Sequence, residues 1–436
     1  LLSVGHDLPY LSGYEAMPLE RLTMLVVPRT GHVSMVVPRL EVPRVVAQPE
    51  VFSIVPWNET DNPIAIVAKL LGNAKRIAVG DQMWARFLVE LLPHVPGATF
   101  TRAGKVTGRG SISMGTPFAG NRFLAHSGAR YPIIQAPMTW IARARLASAV
   151  SAAGALGMME TSSVDIEVTR REFNAIKAST SAPFGVNLPI MFLRANEAME
   201  RRILDFLIEE QVRFVTTSAG NPRRHIDELK AAGIIVYHAV PSLDAALKAE
   251  DAGVDGLIVE GAESGGIRNA EEINSLVLLQ AVRERVKIPI VAAGGIVDGR
   301  GMAAAMALGA EAVAMGTRFV ASVESPVHPN YKQAIVTAGV DGTVMLPRPP
   351  RAKMRVLRTK ASEALLQNSG PQGMETQGRM SSVIDALYVG GDVDNTAGSA
   401  GQSSALIHAV EPVQKIVEDT MSGFWREIDR LAALRG

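Results

Sequence analysis

Two turns that contain glycine, each at the end of an apolar run, carry the clearest chemical signal in this sequence. Gly294 and Gly295 follow the run 289–293, and Gly316 and Thr317 come at the end of the next one. Glycine lets a backbone approach a ligand closely, and the exposed N–H groups of such turns can hold a phosphate dianion. The GxxxxGK[ST] and GxGxxG sequences are absent, which argues against nucleoside triphosphates and Rossmann cofactors.

Three other segments place polar groups or bent backbone at the ends of apolar runs. They are 135–138 (QAPM), Asn187 within FGVNLP, and 260–268 (EGAESGGIR). A planar heterocycle lying across these ends could be held by backbone groups and by the Asn187 amide, with a phosphate tail at the glycine turns. That geometry is the one of bound FMN, so the pattern predicts an FMN site.

The elements that would position these residues alternate between strand and helix, at the spacing of βα units. Eight strands separated by helices predict an α/β fold of the (β/α)8 TIM barrel type, in which chemistry lies at the C-terminal ends of the strands. A doubly wound open sheet is the alternative. Amphipathic helices are predicted at 165–179, 195–211 and 242–253. The predicted strands are 132–137, 155–160, 184–188, 213–217, 234–239, 256–260, 289–293 and 312–316.

The chain also divides into domains. The barrel is predicted at 117–330, and the many residues that follow predict a C-terminal cap subdomain at 331–436 that closes on it. The stretch 104–115 (GKVTGRGSISMG) has no hydrophobic period and indicates a linker or a fusion scar at 105–116. Met114 could be a native start, so the sequence leaves open whether the two-domain arrangement is natural.

The first 104 residues predict a separate small α/β domain. The β-rich runs 21–27 and 32–37 predict a hairpin, and 76–80 predicts a further strand. Thr60 is predicted to cap a helix that runs to Gly72 with Pro63 in its first turn, and a second helix is predicted at 82–94.

Composition excludes several classes of function. The 436 residues include 44 basic and 43 acidic side chains, so the basic excess of a nucleic-acid binder is absent. Zero cysteines exclude disulfides, thiolate catalysis and cysteine metal sites, and they fit a reducing cytoplasm. No histidine spacing suits a metal, and no apolar stretch is long enough to span a membrane. These features predict a cytoplasmic enzyme that acts on a small molecule without a metal.

The barrel half resembles the nitronate monooxygenase family, once called 2-nitropropane dioxygenases. The resemblance runs from about residue 130 to the end and includes QAPM, FGVNLP, EGAESGG (260–266), AAGGIVDGRGMAAAMALGAEAVAMGTRF (292–319) and GSAGQ (398–402). FMN-dependent enoyl-acyl-carrier-protein reductases share these motifs. The resemblance implies an FMN-dependent oxidoreductase that oxidises a small nitronate with O2. The alternative is a reductase that takes hydride from NAD(P)H and reduces an enoyl thioester.

The family's FMN contacts would fall on residues of these motifs. The isoalloxazine would lie against Ala136, Pro137 and Met138, with Gln402 nearby. The remaining implied contacts are Asn187, Gly265 and Gly266, and, at the phosphate, Gly294, Gly295, Gly316 and Thr317.

The chain departs from the family at one position. Members typically read GGH after the sixth strand, and this His acts on the substrate, whereas here the residue is Ile267. An aliphatic side chain can neither transfer a proton nor donate a hydrogen bond. Either the reaction needs no group there, or another residue supplies it, or the protein binds flavin with lapsed chemistry. His238 and Arg268 are candidate substitutes, and Glu263 could bind ribityl or backbone groups.

The N-terminal domain resembles a different family. The runs 11–28 (LSGYEAMPLERLTMLVVP), 38–41 (PRLE), 57–63 (WNETDNP) and 81–87 (DQMWARF) are similar to the N-terminal domain of creatinase-type Xaa-Pro peptidases. In that family this domain assists oligomerisation, and a second domain carries a two-metal site that has no counterpart in this sequence. The resemblance implies an association module through which a homo-oligomer could form.

Overall fold

A computed structural model describes residues 1–3, 21–28, 31–45, 51–80, 83, 85–102, 118–269, 271–348, 352–367 and 383–435. The chain divides into two compact units, Leu1–Ala119 and Gly120–Gly436. The predicted linker at 105–116 lies outside the described residues. Among the described residues, no helix has the length and apolar character needed to cross a membrane.

The first unit is an α/β unit with two small sheets. Strand Met24–Val26 pairs antiparallel with Val33–Pro38 at the predicted hairpin, and Val33–Pro38 pairs in parallel with Phe52–Trp57. Helix Pro63–Leu71 packs on this sheet through Ile64 and Val67. The other elements are strands Leu2–Ser3, Arg76–Val79 and Thr99–Arg102, helix Ala85–Leu91 and the 3-10 segments Arg39–Arg44 and Leu92–His94.

The start of helix Pro63–Leu71 corrects a prediction from the sequence. The cap is Asn62, whose Oδ1 accepts a hydrogen bond from Ala65 N–H at 3.1 Å, and not Thr60. Thr60 lies two residues before the cap, inside a turn in which Asn58 N–H donates to the Asp61 carboxylate. Asn is a strong N-cap and Pro63 directly after it fits the first helical position, so both residues favour the later start.

The second unit is a closed barrel of eight parallel strands, which confirms the predicted fold. The barrel closes where Gln135 N–H donates to Leu156 O (2.9 Å) and Leu156 N–H donates to Ile133 O (2.8 Å). All the predicted strands are present, each within two residues of its expected bounds. In barrel order they are Ile133–Gln135, Gly157–Glu160, Phe184–Pro189, Phe214–Ser218, Ile235–Val240, Gly256–Glu260, Ile290–Ala293 and Ala312–Met315.

Apolar side chains fill the barrel, and aromatic rings close its N-terminal end. Phe123, from helix Arg122–Ser127, packs edge-on against Phe214 and Tyr237. Since side chains alternate between the two faces of a strand, the interior residues fix which positions point inward along each strand. The interior cluster also contains Ile134, Leu156, Met158, Ile258, Val291, Ala293, Ala312 and Ala314.

Helices cover the barrel, and the last of them comes from the C-terminus. Helix Val413–Ala432 packs on Gly299–Ala307 and on Ala144–Ala152, which follow the seventh and first strands. It therefore takes the eighth place in the outer ring, so the segment 331–436 includes a barrel helix as well as a cap. The other outer helices are Ile166–Ser179, Glu197–Glu209, Ile226–Ala231, Leu243–Asp251 and Ser275–Arg283, with the shorter segments Ile190–Leu193 and Pro222–Arg224.

The cap is built around a three-stranded antiparallel sheet. Gly266–Asn269, just after the sixth barrel strand, pairs with Ala352–Leu357, which pairs with Thr343–Arg348. These last two strands are joined by residues 349–351, which lie outside the described part of the chain. The remaining elements are helices Thr317–Val320, Pro329–Val336 and Lys360–Gln367, the π-helical segment Ile384–Val389 and the 3-10 segments Gln402–Leu406 and Ala433–Arg435.

Candidate active site at the barrel mouth

Inward-facing positions at the C-terminal strand ends form the rim of the barrel mouth. On strands one, two, six and eight the rim positions follow from the alternation of the interior residues. Asn187 on strand three shares its register with Glu160 and with the inward-facing Thr216. The rim residues are Ala136, Glu160, Asn187, Ser218, Glu260, Gly295 and Gly316.

The turns after strands seven and eight present free backbone donors. Gly294 (φ +106°) and Gly295 (φ +74°) adopt backbone conformations that favour glycine. Among the described residues, the N–H groups of Gly294, Gly295 and Gly316 donate no hydrogen bond. A methyl group built on Gly316 would lie 3.5 Å from Ala136 Cβ and 3.8 Å from Met138 S. The predicted phosphate turn at Gly316 and the predicted isoalloxazine edge, 136–138, are therefore neighbours.

The C-terminal GSAGQ segment closes on the loops after strands six and eight. A Cβ on Gly265 would lie 2.7 Å from the carbonyl carbon of Ala400, so only glycine allows this approach. Gly401 N–H donates to Thr317 Oγ1 at 3.0 Å, and Gln402 N–H donates to Glu263 O at 2.9 Å. The Gln402 residue itself is exposed. The structure thus brings Gly265, Thr317 and the segment of Gln402 together.

Asn187 is buried at the rim with its amide held in one orientation. Its Oδ1 accepts hydrogen bonds from Thr216 Oγ1 (2.9 Å) and Ser218 Oγ (3.3 Å). Its backbone carbonyl accepts one from Thr161 Oγ1 at 2.8 Å. With the acceptor oxygen satisfied twice, the amide NH2 group has no partner among the described residues and can donate to a ligand.

These features fit a flavin mononucleotide. A phosphate needs several converging donors, which the free N–H groups of Gly294, Gly295 and Gly316 supply. A Cβ built on Gly266 meets nothing within 4 Å, so there is open space beside the rim where the family's contacts fall. The Asn187 amide supplies a donor for a ring or ribityl oxygen. FMN would be held by these residues together with Ala136, Pro137, Met138, Gly265, Thr317 and Gln402.

Two rim carboxylates were missed by the sequence reasoning. Glu160 is 5% exposed and accepts hydrogen bonds from Trp140 N–H (3.2 Å), Arg143 Nε (3.0 Å) and both Ser162 N–H and Oγ. Glu260 pairs with Arg268 Nη1 at 2.7 Å. Both are the last residues of predicted strands, but the sequence does not show which face of a strand points inward, so only the folded barrel places them on the rim.

His238 does not lie on the rim. Tyr237 and Ala239 face the interior, so His238 between them faces the helix layer, where its Nδ1 is hydrogen-bonded to Thr217 Oγ1 at 2.7 Å. Burial lowers the pKa of His238 to about 4, which keeps the ring neutral. The structure gives it the surroundings of a packed histidine and not those of a group at the barrel mouth.

Arg268 and Ile267 lie on the cap strand that follows the sixth barrel strand. Ile267 is opposite Met354, so two apolar side chains share one face where the family resemblance predicts a histidine. Arg268 is on the other face and is buried; it pairs with Glu260, while its Nε has no partner. Glu263 accepts hydrogen bonds from Ser275 N–H and Oγ, so it caps the next outer helix.

No group of three or more His, Asp or Glu side chains is placed to hold a metal ion within the described ranges. The barrel and its rim of free backbone donors define the class of protein as a TIM barrel whose mouth suits a phosphate-bearing cofactor such as FMN.

Comparison with known proteins places the chain within that class. The family model described as nitronate monooxygenase matches residues 121–423, and the chain belongs to this family. The model of the creatinase/prolidase N-terminal domain matches residues 1–109, as its motifs indicated.

Three similar proteins illustrate the range of the relatives. A Mycobacterium tuberculosis protein named (3aS,4S,5R,7aS)-5-hydroxy-7a-methyl-1-oxo-octahydro-1H-indene-4-carboxyl-CoA dehydrogenase is 36% identical over 249 residues, covering 56% of this chain and 68% of its own. A nitronate monooxygenase of Pseudomonas aeruginosa is 34% identical over 259 residues, covering 49% and 73%. The structure of FabK from Thermotoga maritima superposes with a TM-score of 0.67 at 39% identity, covering 72% and 98%.

Proposed function

We propose that the protein binds FMN at the barrel mouth and oxidises a small nitronate with O2. The observation that carries this proposal is the apolar pair of Ile267 and Met354 where the family has its histidine. A nitronate is already an anion, so its oxidation requires no base to remove a proton from carbon. A neutral nitroalkane must first lose its α-proton, and Ile267 cannot accept it.

The reaction balances without an added reductant. Two nitronate anions and one O2 give two carbonyl compounds and two nitrite ions, with each C=N bond replaced by C=O. Bound FMN would supply the redox centre that accepts electrons from the substrate and passes them to O2. The chain's own residues hold the phosphate through the free N–H groups of Gly294, Gly295 and Gly316. They also orient the flavin ring through the Asn187 amide, and Ile267 gives the cap an apolar surface toward the substrate.

A second candidate function is oxidation or reduction of an acyl thioester at the carbon atoms next to its carbonyl group. In the direction of reduction, NAD(P)H would donate the hydride. It is favoured by the 36% identity to a protein named as a carboxyl-CoA dehydrogenase. An apolar acyl group would lie against Ile267 and Met354.

The test uses the full chain purified without added cofactor. A yellow protein that releases FMN on denaturation supports the binding site, whereas a colourless protein that takes up no FMN contradicts both candidates. Anaerobic mixing with a nitronate, with a neutral nitroalkane, and with NAD(P)H plus an enoyl thioester then separates them. We expect nitronate alone to reduce the flavin and nitrite to appear on admission of O2. Reduction by NAD(P)H with no response to nitronate would reject nitronate oxidation in favour of the thioester reaction.

A further inference from the structure

Three aromatic rings are stacked near the strand-one side of the barrel mouth. Tyr388 lies between Trp140 and Tyr331, with ring centroids 5.8 and 5.5 Å away and each ring pair inclined by 28°. Trp140 follows the predicted flavin segment 136–138, and Tyr388 is on the π-helical segment Ile384–Val389. Segments of this kind are rare and occur frequently at functional sites.

Trp140 is held in an unusual backbone conformation. Its φ is +65°, which is strained for a bulky residue and persists only when the surroundings enforce it. Trp140 N–H donates to Glu160 Oε1, and Arg143 Nε donates to the same oxygen at 3.0 Å. The buried rim carboxylate therefore fixes the turn that presents the tryptophan ring.

The stack is joined to the segments that carry the predicted flavin contacts. Tyr331 Oη donates to Ser399 O at 2.7 Å, within the GSAGQ segment. Ser399 also forms a bridge with Val356 on the central cap strand, which pairs with the strand of Ile267. The aromatic stack thus adjoins the barrel mouth on the strand-one side and is tied to the cap near the position of the missing histidine.

The two tyrosines of the stack differ in their hydroxyl groups. Tyr331 Oη is satisfied by Ser399, whereas Tyr388 Oη makes no hydrogen bond with any residue in the described ranges. Tyr388 is nevertheless 5% exposed, and burial raises the pKa of its hydroxyl to about 12. The hydroxyl therefore stays protonated through the neutral range and is available as a donor.

We propose that the Tyr388 hydroxyl donates a hydrogen bond to an oxygen atom of the bound nitronate, in place of the donor that Ile267 lacks. The role rests on the proposed function and deepens it by naming the residue that binds the substrate's oxygen. Tyr388 keeps its proton throughout, and Trp140 and Glu160 act as positioning residues for its ring.

The test compares FMN-loaded wild type with Tyr388→Phe, which removes one oxygen atom and preserves the stack. Each protein is titrated anaerobically with ethylnitronate, and the flavin spectrum reports the Kd and the rate of reduction. We expect an unchanged flavin content and Tm, and a Kd raised about tenfold, the usual loss for a hydrogen bond to a charged group. Trp140→Phe should raise the Kd by a smaller factor, because the ring is retained with less contact.

The matched control is Tyr237→Phe, which removes a phenol bonded to His126 at the opposite end of the barrel (3.1 Å). This variant should lose stability and keep the wild-type Kd for nitronate. Equal affinities of wild type and Tyr388→Phe would overturn the role of Tyr388 while leaving nitronate oxidation intact. A wild-type protein that binds no nitronate would overturn the proposed function and this inference with it.

Discussion

The barrel mouth has two sides that are built in opposite ways. The glycine rim, consisting of Gly294, Gly295 and Gly316, offers backbone N–H groups, and the first two glycines have positive φ angles that favour glycine. The polar rim, consisting of Glu160, Asn187 and the half-buried Ser218, offers side chains fixed by hydrogen bonds. The difference predicts that backbone groups hold the phosphate of the proposed FMN, whereas side chains orient its ring or the substrate. Substitutions should therefore affect the two rims differently.

The largest effect is expected on the glycine rim. Gly294→Val places a β-branched residue at φ +106° and a Cβ about 3.1 Å from Ser264 Oγ, so the turn must change shape. We expect affinity for FMN to fall at least about 100-fold by fluorescence titration, since several converging donors are lost together. Gly233→Val is the control, because Gly233 also has positive φ (+76°) but lies in open surroundings. If both variants keep wild-type flavin affinity, the phosphate is not at this turn.

A smaller loss is expected on the polar rim. Asn187→Leu leaves the hydroxyls of Thr216 and Ser218 without their acceptor. The free energy of unfolding should fall by about 1–3 kcal/mol, and FMN affinity by about tenfold. Urea denaturation of the apoprotein and flavin titration measure the two effects separately. A loss of stability with no change in flavin affinity would restrict Asn187 to a structural role.

A gain of activity is expected between the rims, on the cap strand. Ile267→His introduces a base with an ordinary pKa of about 6.5 at the position where the family resemblance predicts a histidine. The kcat/KM for a neutral nitroalkane should rise about tenfold and increase with pH through this range, while the value for the nitronate stays constant. Ile267→Phe, which adds a ring without a titratable group, should show no gain. Equal behaviour of the two variants would mean that residue 267 does not face the substrate.

The smallest effect on activity is expected behind the polar rim. His238→Asn should change kcat/KM less than about twofold, because His238 faces the helix layer. Its stability effect depends on pH: the folded pKa of about 4 is below the unfolded value, so the contribution is complete above about pH 6.5 and is lost as pH falls towards 4. The shift corresponds to at most about 3 kcal/mol. Thermal unfolding across this range should show a steeper decline for wild type than for the variant, and parallel curves would contradict the assignment.

The fold could be predicted from the sequence because parallel strands buried on both faces appear as continuous apolar runs. Each barrel strand was located in this way, and the glycine turns followed from their positions after strands seven and eight. The predicted N-cap of helix Pro63–Leu71 is wrong because Thr60 and Asn62 are both good capping residues. The turn at Asn58 decides between them, and it is a feature of the folded structure.

Part of the site could not be predicted because it depends on contacts between distant segments. Glu160, at the end of the second strand, accepts a hydrogen bond from Trp140 N–H, which follows the first strand. The ring of Tyr388 stacks on that of Trp140 from a π-helical segment that has no sequence signal. His238 was a candidate because the sequence does not say which face of its strand points inward. The interior position of Tyr237, visible only in the folded barrel, decides it.

The position of helix Val413–Ala432 has a consequence for how the chain folds. All eight strands and the other outer helices precede it, so they leave the ribosome before the element that bridges the first and seventh outer helices exists. Until it docks, Leu146 and Met302, both fully buried in the finished protein, lack part of their covering. Gly299 and Gly423 must then approach backbone to backbone, a contact that a Cβ on Gly299 would block at about 2.0 Å from Phe424 N. Closure of the barrel wall is therefore a late, long-range event, in which the nascent chain is most exposed to aggregation and to chaperones.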